Sequence, residues 1–157
     1  MDANLIDITE SFAAKMDLSF SRIDSNEITI LLKEQHPGYI LSVILKSDYD
    51  IIYFSCDINI YVPANRYVAI TDAIVKTNER IWLGHFDLIS SVSRIVYSLA
   101  IPFISSQLIN EEIIESTIQM ITDECNRFYN YFFIVVQNEK LFDISSNTLF
   151  LESAGEA

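Results

Sequence analysis

The chain has 157 residues, half of them hydrophobic, and its 22 acidic against 10 basic side chains leave a net charge of −12. At this length one compact α+β domain is the expectation, and three Gly with three Pro in an apolar chain exclude disorder. The charge excludes nucleic acid as a partner, since phosphate binding needs clustered Lys and Arg and no stretch supplies them.

Asp2 is placed to cap a first helix over about Ala3 to Lys15, in which Leu5, Ile8, Phe12 and Met16 recur at helical steps. A polar turn at Asp24, Ser25 and Asn26 precedes a strand in which Ile28, Ile30 and Leu32 alternate with Thr29, Leu31 and Lys33. Tyr39 to Lys46 is apolar at both parities, as a strand covered on both faces would be. After a turn at Ser47 to Asp50, Ile52, Phe54, Cys56, Ile58 and Ile60 share one face of a third strand, completing an antiparallel meander. Pro63 suits the start of a second helix, about Ala64 to Arg80.

A hairpin follows. Phe86 and Leu88 alternate with His85 and Asp87, the serines at 90, 91 and 93 turn the chain, and Ile95, Tyr97, Leu99 and Ile101 line the returning strand up to Pro102. Asn110 then caps the clearest helix, about Asn110 to Val136, with Glu111 and Glu112 in its positive first turn and Ile109 set to staple Ile114. Its seam is Ile114, Ile118, Ile121, Cys125, Phe128 and Phe132. The pattern predicts an antiparallel sheet of about five strands flanked by helices, order α-βββ-α-ββ-α, in a domain spanning residues 1–144 with a loose tail over 145–157. The densest apolar run, Tyr129 to Val136, is too short to span a membrane, and the start lacks the basic residues of a secretory signal, so the expected location is the cytoplasm without membrane contact.

Chemistry finds little foothold. His36 and His85 have no ligand partners at motif spacing, and Asp48, Asp50 and Asp57 lack the loop of a calcium site, so no metal is expected. Three glycines cannot build a phosphate cradle, and no cofactor is expected either. Cys56 and Cys125 fall on apolar faces, as inert reduced thiols do, and no catalytic residue is identified. The stretch Trp82 to Leu88 is read as core packing. Tyr129, Tyr131 and Phe133 lie off the seam of the last helix and are the candidate partner-binding residues.

The segments NERIWLGHFDL at Asn78 to Leu88, ECNRFY at Glu124 to Tyr129, YFSC at Tyr53 to Cys56, and the ending Gly155-Glu156-Ala157 resemble the YbjN-domain family, in particular its alphaproteobacterial members. The resemblance covers essentially the full length and implies a fold similar to the type III secretion chaperones. Val96-Tyr97-Ser98-Leu99 stands where relatives tend to have a Phe-Arg-His-like segment, and Asn130 where proline is expected. The functional expectation is a non-enzymatic protein-binding module, chaperone-like or regulatory, that forms a homodimer and receives a protein client. The alternative is a small-ligand or enzymatic domain with a pocket between sheet and helices.

Overall fold

Residues 4–32, 38–103 and 109–137 are described here from a computed structural model. Asp2, His36 and the expected C-terminal tail lie outside them. Helix α1 (Leu5–Lys15) is followed by strands β1 (Ser19–Arg22), β2 (Glu27–Leu32), β3 (Tyr39–Lys46) and β4 (Ile51–Tyr61), helix α2 (Tyr67–Asn78), strands β5 (His85–Ile89) and β6 (Arg94–Pro102), and helix α3 (Glu111–Gln137). The strands form one antiparallel sheet in the order β1-β2-β3-β4-β6-β5.

Six strands replace the expected five. The addition, β1, carries no burial alternation, since all four of its residues are exposed, and it pairs with β2 through its main chain, Ser19 opposite Leu31 and Arg22 opposite Ile28. Helix α1 is capped by Asn4, whose side chain accepts from the Ile6 N–H at 3.0 Å. Its buried face is Leu5, Ile6, Thr9, Phe12 and Ala13, rotated from the expected stripe, so that Met16 beyond the last turn is 52% exposed. Helix α2 begins later than expected because a 3-10 turn at Ala64–Arg66 intervenes after Pro63. The cap on α3 forms as expected, Asn110 Oδ1 accepting from the Ile113 N–H at 3.0 Å, with Ile109 and Ile114 both buried.

The helices cover one face of the sheet. Against it lie Ile28, Ile30, Leu41, Val43, Phe54, Cys56 and Tyr97, all buried, beneath the α3 seam of Ile114, Ile118, Ile121, Cys125, Phe128 and Phe132. β3 is not covered on both sides, because its alternate residue Ile40 is exposed and Ser42 and Ile44 are only half-buried. Across the face away from the helices, the register aligns Ser21, Thr29, Ser42, Ser55, Ser98 and His85 in one polar row. Where β4 ends, an irregularity at Asp57 to Tyr61 puts Asn59 in the left-handed region, φ 61°, and Arg94 ties the kink down through Asp57 at 3.2 Å and Asn59 at 2.6 Å.

Candidate partner-binding surfaces

The aromatic end of α3 divides its residues by helical geometry. Successive residues turn by about 100°, so Tyr129 and Phe133, four apart, share a face while Tyr131 points nearly opposite. The Tyr129 and Phe133 rings stack with centroids 6.1 Å apart and planes 16° apart, and Tyr129 also meets Tyr39 at 6.1 Å. Phe133 is 43% exposed and Tyr129 half-buried. Tyr131, expected at the surface with them, is instead 1% exposed and packs on Phe132. Its burial pushes the hydroxyl pKa up to about 12. Of the three candidates, then, only Tyr129 and Phe133 form a surface pair.

At the same end, Arg66 is buried and donates from Nε to the Val135 carbonyl at 3.1 Å and from Nη2 to the same oxygen. A cation there answers the carbonyls that the last helical turn leaves without helical partners. Deeper in, the Cys56 and Cys125 thiols are free, fully buried and neighbours of each other. Burial, then the neighbouring Cys56, holds Cys125 well above the usual thiol range, which keeps it protonated and unreactive.

Trp82 overturns the expectation of core packing, being 96% exposed with Leu83 beside it 58% exposed. The turn holding them is fixed from beneath. Tyr97 donates its hydroxyl to the Leu83 carbonyl, and Gly84 takes φ 69°, where an added Cβ would stand 2.5 Å from the Tyr97 hydroxyl and 2.6 Å from the Ser98 carbonyl. Only glycine fits that close approach. The core residue of this stretch is Phe86, wedged against Tyr97, Phe128 and Phe132 at 5.2, 5.9 and 5.0 Å. Composition ranks Trp as core-forming, and only the short, glycine-closed turn could have signalled that this one is lifted out.

A third apolar surface lies between α1, β2 and α3, where Phe12, Met16, Leu18, Leu32 and Ile118 line a cavity of about 80 Å³ rimmed by Glu115 and Gln119. Sites for small ligands enclose roughly 300–1,000 Å³, a size that the open hollow of about 490 Å³ between α2 and β5 reaches. Among the described residues no group of three or more His, Cys, Asp or Glu could hold a metal ion, and no helix is long and apolar enough to cross a membrane. The polar clusters that do form answer one another, as Asp57, Asn59 and Arg94 do at the β4 kink.

This arrangement, three helices on one face of a six-stranded antiparallel sheet, is an α+β fold of the type III secretion chaperone kind. A chain in the crystal structure of the ExsC–ExsE complex shares it, with a TM-score of 0.54 and 14% identity, over 83% of this chain and 96% of that chain. The chain belongs to the YbjN family: the family model described as "Putative bacterial sensory transduction regulator" matches residues 6–133. A sequence search of curated proteins finds no match. Asn78 and Phe86, both within the NERIWLGHFDL segment, are bound to each other in space, so that segment acts in building the fold.

Proposed function

We propose that the protein is a non-enzymatic protein-binding module, chaperone-like or regulatory, that works as a homodimer and receives a protein client. The observation that carries this reading is the Trp82-Leu83 turn: a nearly fully exposed tryptophan beside an exposed leucine, on a backbone held by Tyr97 and Gly84. Tryptophan is among the side chains most enriched where residues dominate protein interfaces, and a turn whose backbone is fixed in advance lowers the entropy lost on contact. The likeness in fold to a protein solved as a complex points the same way.

Self-association needs a face where two chains of charge −12 do not repel. The outer side of α2 meets that need, since exposed Val68 and Val75 flank Asp72 and Lys76, which neutralise each other at 2.9 Å. The second copy is assigned to this face and the Trp82 turn. Light scattering at micromolar concentration is expected to give twice the 18.0 kDa chain mass, and Trp82→Ser to give the single mass with an unchanged circular-dichroism spectrum. A wild-type monomer, or a Trp82→Ser dimer as tight as wild type, would contradict the assignment.

A further inference from the structure

The sheet has two edges, and their outward main-chain groups are treated differently. On β5 the ladder to β6 makes Phe86 and Leu88 the outward residues. The Asn78 side chain occupies Phe86 completely, accepting from its N–H at 2.8 Å and donating to its C=O at 3.0 Å, while Asp87 accepts from the Leu88 N–H at 2.9 Å. On β1 the bond from the Ile23 N–H to the Glu27 carbonyl sets the alternation, which makes Phe20 and Arg22 the outward residues. Among the described residues nothing pairs with their outward N–H and C=O groups.

Beside that open edge lies the apolar surface of Met16, Leu18 and Leu32, with the Phe20 ring 38% exposed. The local charge is acidic: Asp7 and Glu10 share Arg22, Lys15 pairs with Glu111 and is also attracted by Glu115, and among the described residues no salt bridge reaches Asp17. We propose that β1 is a strand-addition site for an extended segment of a partner protein, its main chain pairing with Phe20 and Arg22, its apolar side chains meeting Phe20 and Met16, and its flanking basic side chains meeting this acidic rim. The proposal deepens the protein-binding reading and rests on it. An open strand edge supplies affinity through main-chain bonds, the neighbouring apolar surface supplies selection, and the carboxylates set the sign of the partner's charge.

The test is a titration of the full chain with a synthetic decapeptide of alternating valine and lysine, followed in amide nuclear magnetic resonance spectra. Shifts are expected to concentrate at the Phe20 and Arg22 amides. N-methylation of the peptide's valines, or replacement of its lysines by glutamate, is expected to abolish them. Phe20→Pro removes one outward donor while leaving the bonds to β2, and is expected to weaken binding about tenfold beyond Phe20→Ala, the worth of one hydrogen bond. Should Phe20→Pro fail to fold by circular dichroism, the N-methylated peptide on the native chain decides alone.

Equal binding of the N-methylated peptide, or no binding at all, overturns the proposal. Shifts confined to Trp82 and α2 overturn it while leaving the protein-binding reading intact. Protection of the Phe20 and Arg22 amides in the free chain also overturns it: if lost on dilution, a second copy holds the edge; if lost when the chain is cut after Gln137, its own C-terminal segment does.

Discussion

At one edge of the sheet, β5 spends an asparagine side chain on closing off a single residue, Phe86; at the other, β1 leaves its equivalent groups facing outward. Unpaired strand edges invite other chains, and proteins close those that must not be joined. Closing β5 but not β1 separates two kinds of contact by their physics. On the proposed reading a partner near β5 meets side chains, Trp82, Leu83 and the α2 face, and one at β1 meets main chain. A module that both self-associates and receives an extended client gains from that division, because the two surfaces lie on strands at opposite edges of the sheet and need not compete.

The comparison is broken most severely by removing what anchors β5. Phe86→Ala empties a position 1% exposed among three aromatic rings, and is expected to cost roughly 3–5 kcal/mol in urea unfolding. A loss below about 1 kcal/mol would show that β5 is held by its ladder alone. Asn78→Ala is milder in stability but sharper as a test of the seal. It strips partners from the Phe86 N–H and C=O, with an expected cost of roughly 1–3 kcal/mol, and it opens a second edge, so sedimentation should reveal species larger than the wild-type assembly. An Asn78→Ala protein with wild-type mass and stability would show that the amide does not guard the edge.

The elements that could be read from the sequence are those whose side chains record their burial. β3 stands out as the run Tyr39 to Lys46, apolar at both parities, most of β4 because Ile52 to Ile60 alternate toward the helices, and α3 because Asn110 and its six-residue seam mark its start and face. β1 was illegible because Ser19, Phe20, Ser21 and Arg22 bury nothing, and pairing through main chain leaves no mark on side-chain pattern. Ile40 and Ile44 suggested a second cover over β3 because hydrophobicity does not say whether a face is packed or merely flanked by neighbours.

The candidate surface was half legible for the same reason. Tyr129 and Phe133 were picked out because they lie off the seam, but Tyr131, spaced by two from each, falls near the seam's own edge and joins Phe132 in the core. Residue type alone places Trp82 in the core, whereas its exposure follows from Gly84 and Tyr97 holding the turn from below. The Asn78 seal has no pattern at all in one dimension: its two bonds connect residues eight apart through a turn whose path the sequence does not disclose.

Amide hydrogen exchange at residue resolution on the native chain tests the contrast between the edges most directly. The Phe86 amide, bonded to Asn78, should exchange as slowly as the inner strands β3 and β4, and the Phe20 and Arg22 amides orders of magnitude faster, close to the rate of open chain. Phe20 and Arg22 amides as protected as that of Phe86 would contradict the account, because the β1 edge would then already be occupied.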